Sequence, residues 1–511
     1  MELRAVMNKT NILGYLEATA SRVPQKLAFS TGKEGMSFAD VLSEARAVGS
    51  FLCRKGIYGE PVVIFMAKHP RTVTAFFGVV YSGNYYVCLD EKMPEARIRT
   101  ILDSLHTRII ITDKNNYACA EKVAQGADVV LYDDICRTDE DTDALTRVRE
   151  RQIDTDAIYI VFTSGSTGVP KGVVASHRSV IDYTEALCEA LGFSEGTVFA
   201  NQTPLYFDAP LKEIMPTLKL GATTYFVPKM LFSFPVKLIE YLNEYKINTI
   251  CWVVSALVQI SSLGAFDKFR PEYLRLVAFG SEVFPRAQYD IWRAALPEAE
   301  FYNLYGPTEA TGMSCYWHAV RELDENEPIP IGRPFRNTDI ILLDENNRRV
   351  TDGGEGEICI RGTCLTMGYY NNPGKTSEVF VQNPLNTAYS ELIYRTGDIG
   401  KYNKNGELVF ISRKDSQIKH MGHRIELGEI EAAASKCASL RRACCVYGKA
   451  LRRIVLFYTG DVSEKELTAF LSDLLPRYML PSLCVKLEAM PLTDNGKLDR
   501  RILGERADEN R

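Results

Sequence analysis

Over the first four hundred residues, short apolar runs alternate with amphipathic stretches. Val62–Met66, Arg108–Thr112, Val129–Tyr132, Ile158–Phe162, Thr223–Val227, Asn248–Val254 and Arg275–Phe279 are rich in Val, Ile, Tyr and Phe and lack in–out alternation. That is the pattern of strands buried on both faces. Between them, stretches such as Phe38–Lys55 and Pro235–Tyr245 carry helical spacing. Strand–helix alternation predicts an α/β architecture of layered, mostly parallel sheets. From about Asn337 the texture changes. TDIILLDENNRRV predicts two strands around a turn at Glu345–Asn347, and GEGEICIRG predicts another, giving a β-rich subdomain. A tight turn follows at Tyr402–Gly406 and a boundary near Arg413–Asp415. Beyond it come a helix (Leu427–Ser435), a strand (Ile454–Thr459) and a further helix (Glu464–Leu475). The expected division is a large N-terminal unit, residues 1–412, and a small mobile α+β unit, residues 413–511.

Composition narrows the function classes. The chain has 511 residues, 46% hydrophobic and 24% charged, with a formal charge of −5. It has the core of a globular protein and no basic excess to attract nucleic acid or an anionic membrane. Its 13 cysteines are scattered without a CxxC pair, which points to a reducing, cytoplasmic setting rather than a disulfide scaffold. The N-terminus lacks a signal-peptide pattern, and apolar runs such as Pro61–Ala67 are far too short to cross a bilayer. The six histidines, from His69 to His423, show no metal spacing.

The densest chemistry lies in Tyr159–Gly172, YIVFTSGSTGVPKG. An apolar strand runs into a loop carrying Thr163, Ser164, Gly165, Ser166, Thr167, Gly168 and Lys171. Glycines allow close backbone approach; amides, hydroxyls and a lysine together can cradle phosphate. Pro170 stands where a Walker A loop would need glycine. The loop resembles the phosphate loop of the adenylate-forming superfamily, which includes acyl-CoA synthetases, luciferases and the amino-acid adenylation domains of nonribosomal peptide synthetases. NLYGPTEAT (Asn303–Thr311), GEGEICIRG, YRTGD (Tyr394–Asp398), SRKDSQIKHMGHRIELGEIE (Ser412–Glu431) and NGKLDR (Asn495–Arg500) agree with it in order. IELGEIE and YGPTE lean towards the amino-acid branch, and the length is similar to that of D-alanine–carrier protein ligases.

The resemblance implies ATP and Mg²⁺ as cofactors and gives each motif a role. A carboxylate attacking the α-phosphorus of ATP needs positioning and charge neutralisation rather than covalent help. Thr163–Lys171 would hold the β- and γ-phosphates. Gly280, Ser281, Glu282, Asn303, Leu304, Tyr305 and Gly306 would border the nucleotide, with Tyr305 stacking on adenine. Thr308 would donate to an α-phosphate oxygen. Glu309, a hard oxygen ligand, would bind Mg²⁺. Asp398 would accept the ribose hydroxyls, and Arg413 would contact ribose or phosphate. Lys497 would bridge substrate carboxylate and ATP as the catalytic lysine of the small unit, and Asp415 would be its hinge. Read alone, Tyr305 is a packing residue, Glu309 a solvated one and Lys497 an exposed turn lysine. His177, after the loop, lines the site or packs locally.

Phe207–Asp208 matches the position that holds the substrate α-ammonium in amino-acid adenylation domains. The alternative is that Lys212, four residues on, neutralises Asp208. The remaining pocket positions read as Ala209, Lys212, Cys251, Val277, Phe279, Leu304, Gly312 and Met313. This is an apolar pocket with Lys212 as the exception; Lys212 suggests an acidic side chain or otherwise pairs with Glu213. The fourteen residues after Lys497 are too few for a carrier domain. The expected activity is therefore that of a stand-alone amino-acid–carrier protein ligase acting on a separate phosphopantetheinyl carrier, with no nucleic-acid or membrane partner. A D-alanine–carrier protein ligase and an acyl-CoA synthetase are the alternatives. Gly280, where the D-alanine enzymes carry Cys, and Leu304 speak against the first, and Asp208 against the second.

Overall fold

The computed structural model describes residues 10–165, 169–325, 327–351, 353–448, 450–491 and 498–509. Two large sheets form the body. The first holds Asp128–Leu131, Ile109–Thr112, Pro61–Phe65, Tyr85–Cys88, Ala157–Thr163 and Lys171–Ser176 in that spatial order, parallel but for the last strand. The second is nine-stranded. Its centre, Glu300–Tyr305, Leu276–Gly280, Thr249–Val253, Val198–Asn201, Thr223–Phe226 and Leu27–Ser30, is parallel throughout. Antiparallel strands Cys315–His318 and Gly35–Ser37 flank it. A third, five-stranded antiparallel sheet contains Thr338–Leu343, Gly356–Gly362 and Leu392–Tyr402. Every residue of Pro61–Phe65, Thr249–Val253 and Leu276–Gly280 is buried, which is why these strands read as continuous apolar runs.

The α/β expectation therefore stands, with local corrections. Tyr132 and Val254 each open a helix instead of ending a strand. In TDIILLDENNRRV only the first strand forms; the return is a single bridge between Leu343 and Arg349. The helix expected to reach Leu475 ends at Ser472. All thirteen cysteines are unpaired thiols.

Beyond Arg413 the chain builds a hairpin, Gln417–His420 with His423–Glu426, then the helix Leu427–Ala434 and a three-stranded sheet. Its apolar core, with Ile425, Ile430, Leu456, Leu467 and Met479, is separate from the clusters of the large sheets. The hairpin itself reaches across to the large body. No helix among the described residues is long and apolar enough to cross a membrane.

Candidate active site

A cavity opens where the C-terminal ends of the large sheets face the hairpin, the usual place for ligands in open α/β folds. The large body contributes Thr163, Ser164, Phe207, Asp208, Ala209, Ser281, Gly306, Thr308, Gly312, Met313 and Asp398 to its lining. The hairpin side contributes Arg413, Gln417, Lys419, Met421, Gly422, His423 and Arg424. Segments more than two hundred residues apart, such as those carrying Thr163 and Arg424, thus meet in one cleft.

The phosphate-loop strand ends in Thr163, whose hydroxyl donates to the Lys171 carbonyl (3.4 Å). A Cβ on Gly165 would sit 2.0 Å from the Val169 carbonyl oxygen, so the turn admits only glycine. Ser164 Oγ donates to the Arg424 carbonyl (2.9 Å), and Gly165 N–H donates to Glu429 Oε2 (3.1 Å). Glu429 Oε1 is ion-paired with Arg97, both side chains being almost wholly buried. Ser166, Thr167, Gly168 and Lys497 lie outside the described residues.

Glu309 is fully buried. It accepts from Tyr369 Oη (2.7 Å) and pairs through both oxygens with Arg424 Nη1 (2.9 and 2.8 Å). Burial alone would raise its carboxyl, but Arg424 and Tyr369 hold it below the usual carboxylate range. In this pose a guanidinium thus sits on the carboxylate expected to bind a divalent cation, and the solvated Glu309 of an isolated-motif reading does not occur. Tyr305 donates to Asp398 Oδ2 (2.5 Å), and Asp398 pairs with Arg413. Arg413 also binds Asp415 with a pair of 2.8 Å bonds. Lys419 sits 5.7 Å from the Tyr305 ring centroid, and burial lowers its pKa.

Other expected nucleotide contacts point elsewhere. Glu282 accepts from Ser255 N–H (2.9 Å) and Gly422 N–H (2.8 Å), and so clasps the hairpin instead of facing the cavity. Asn303 donates to the Pro330 carbonyl (2.7 Å). A Cβ on Gly280 would come 2.3 Å from the Leu304 carbonyl oxygen, so its glycine serves strand packing. His177 is wholly buried and accepts from Ile12 N–H (3.3 Å). Burial pushes it down to about 3, so its role is packing.

In the acid pocket, Phe207, Asp208, Ala209, Gly312 and Met313 face the cavity. Burial raises the Asp208 carboxyl, opposed by a hydrogen bond from Thr308 and by the charge of Lys212. Thr308, expected at the α-phosphate, thus bonds Asp208 in this structure. Neither Asp208 nor Glu213 lies within 4 Å of Lys212 Nζ, so neither pairing weighed from sequence forms an ion pair. Lys212 is only 4% exposed and stands behind the lining residues. Phe279 and Val277 need correction. They pack with Trp292 and the far side of the sheet, while Leu276 and Ala278 share the cluster of Tyr183, Leu304 and Met313. A one-residue slip in a strand moves the whole set to the other face. Cys251 and Leu304 lie on the correct face but in the packed layer beneath the cavity.

Sequence reasoning missed Arg97, Tyr369, Lys419, His423, Arg424, Glu429 and Tyr478. Lys419, His423, Arg424 and Glu429 all fall inside the quoted SRKDSQIKHMGHRIELGEIE stretch, so their signal was present. Arg97 had none, being 332 residues from its partner.

A layered α/β body and a small unit whose hairpin closes over it enclose a cleft that joins a glycine-rich loop to buried carboxylates, an arrangement with the charge and backbone donors to hold a phosphorylated ligand. Residues 16–370 match the model of the AMP-binding enzyme family, and the chain belongs to that family. It is 30% identical over 497 residues to tyrocidine synthase 1 of Brevibacillus parabrevis, covering 96% of this chain and 44% of that protein. It is 31% identical over 498 residues to bacitracin synthase 1 of Bacillus licheniformis, covering 96% of this chain and 9% of the relative. The chain thus spans less than half the length of these relatives. Among solved structures, holo-PA1221, an NRPS protein containing adenylation and PCP domains, superposes with a TM-score of 0.84 at 25% identity, covering 97% of this chain and 84% of that one. The Vibrio cholerae adenylation domain AlmE, in complex with glycyl-adenosine-5'-phosphate, shares the fold over 100% of both chains (TM-score 0.86, 19% identity).

Proposed function

We propose that this adenylate-forming enzyme activates an amino acid. The substrate carboxylate attacks the α-phosphorus of ATP, an acyl–O–P bond forms, and pyrophosphate leaves. The acyl group then passes to the phosphopantetheine thiol of a carrier protein with release of AMP. The observation that carries this reading is Asp208, a half-buried carboxylate that faces the cavity, is desolvated by its surroundings and has no cation within 4 Å among the described residues. A desolvated carboxylate without a cationic partner is costly, and a substrate ammonium supplies one. An acyl-CoA synthetase substrate with a plain aliphatic acid would not.

Asp398 and Arg413 would take the ribose, Tyr305 would border adenine, and the loop from Thr163 to Lys171 would take the phosphates. Lys497 would supply the point charge between carboxylate and α-phosphate. Glu309 fits Mg²⁺, because it is a hard, ionised oxygen donor on which a cation already rests. Mg²⁺ bound there would neutralise phosphate charge.

The pose itself supports a second step. Glu429 occupies the Gly165 amide and Arg424 occupies Glu309. Both are groups that ATP phosphates and their metal would need. This arrangement and bound magnesium nucleotide therefore compete, and the present pose suits acyl transfer after pyrophosphate has gone. The boundary at residues 412 and 413, with Asp415 as hinge, belongs to this proposal. Lys212, buried just behind the pocket lining with no carboxylate within 4 Å of Nζ among the described residues, favours an acidic substrate side chain long enough to reach it.

Pyrophosphate exchange over a panel of amino acids, including D-isomers and simple carboxylic acids, tests the reading. Exchange dependent on an amino acid, and abolished in Asp208→Ala, is the expected result. Exchange supported equally by the des-amino acids would refute it.

A further inference from the structure

The segment from Thr366 to Tyr370 joins two parts of the site. Thr366 N–H donates to the Glu309 carbonyl (3.0 Å). Met367 N–H donates to the Val174 carbonyl (2.8 Å), Val174 N–H to the Gly368 carbonyl (3.0 Å) and Tyr370 N–H to the Gly172 carbonyl (2.7 Å). One end grips the turn carrying Glu309, and the other grips the strand that leaves the phosphate loop.

Tyr369 stands at the junction, 7% exposed. Its hydroxyl donates to Glu309 Oε1 (2.7 Å), and its ring centroid lies 5.2 Å from Lys171 Nζ. Its own N–H is anchored on Thr376 Oγ1 (3.0 Å). The other groups on Glu309 are Arg424, which belongs to the hairpin, and Tyr394. We propose that Tyr369 is a positioning residue that fixes the Glu309 carboxylate for a divalent cation and holds the Lys171 ammonium at a set distance beside it. The inference rests on the adenylating function proposed above. A phenol donating to one carboxylate oxygen sets the plane of the group and leaves the other oxygen to the metal. The ring face attracts the ammonium and limits its sweep. Arg424 can depart with the hairpin while Tyr369 remains, so metal and phosphate subsites keep their spacing.

Tyr369→Phe removes the hydroxyl and keeps the ring. Loss of such a supporting contact weakens metal binding by about tenfold. The half-saturating Mg²⁺ concentration for amino-acid-dependent pyrophosphate exchange should rise by that factor, with the rate at saturating Mg²⁺ and the KM for amino acid little changed. Independently of turnover, Mn²⁺ titrated by EPR in the presence of AMP-PCP should bind correspondingly more weakly. Tyr369→Leu should in addition raise the KM for ATP. An unchanged Mn²⁺ affinity in a folded Tyr369→Phe protein overturns the inference. A wild type that binds Mn²⁺ with AMP-PCP but never exchanges pyrophosphate counts against the function and leaves the metal comparison intact. If Tyr369→Phe does not fold, Thr376→Ala, which loosens the Tyr369 backbone anchor, is read by the same titration. Weakening of about threefold or more supports the role, and unchanged affinity refutes it.

Discussion

At the residue scale, charge without a partner is the main clue. Asp208 stands out in the sequence because it follows Phe207 in a family motif; that no cation among the described residues lies within 4 Å of it is visible only in three dimensions. Its raised carboxyl has a consequence for pH. Ammonium binding needs the ionised form, so the KM for the amino acid should rise as pH falls through the Asp208 pKa. A KM flat across the acid range would argue against that contact. Lys212→Ala should weaken acidic substrates by about tenfold or more and leave neutral ones nearly unchanged, as read from KM over a substrate panel. Equal losses would mean that Lys212 only packs. Glu213, fully buried and bonded to Asn201, is pushed up to about 7 by burial. Because its folded pKa exceeds the unfolded value, the folded state keeps a proton that the unfolded state has already released. Stability should therefore fall as pH rises from about 4.5 to about 7. Urea unfolding of Glu213→Gln across that window should show a smaller slope; an identical slope would place the charge elsewhere.

At the element scale, the hairpin from Gln417 to Glu426 and the helix after it supply the side chains, Arg424 and Glu429, that occupy Glu309 and the Gly165 amide. Apolar runs placed seven strands to within about one residue, because strands buried on both faces have no other composition to offer, while the parallel strands Leu27–Ser30, Tyr85–Cys88, Val198–Asn201 and Glu300–Tyr305 were not singled out. Inward and outward faces were harder. Phe279 was expected in the pocket and lies behind the sheet, since period-2 geometry makes a single slip total. The contacts of the hairpin and of the helix after it were legible only as residues inside a motif, not as partners: Arg424 on Glu309, Glu429 on Arg97 and the Gly165 amide. Removing one member of a buried pair costs about 3–5 kcal/mol. Glu429→Gln should therefore slow acyl transfer to the carrier thiol by well over tenfold and leave pyrophosphate exchange within about twofold, as measured by separate half-reaction assays. Equal slowing of both would show that the pair serves general stability.

At the scale of the whole molecule, two bodies with separate cores meet over one cleft. The architecture was readable from strand–helix alternation and the change of texture near Asn337. The assembly of the cleft was not, because its walls come from segments hundreds of residues apart. The central claim is that a carboxyl oxygen of the substrate joins the α-phosphorus of ATP. Turnover with substrate labelled with ¹⁸O in its carboxyl group, followed by mass analysis of the released AMP, tests it directly. The account predicts that AMP carries one labelled oxygen and that pyrophosphate carries none. Unlabelled AMP, or label appearing in phosphate alongside ADP, would contradict it.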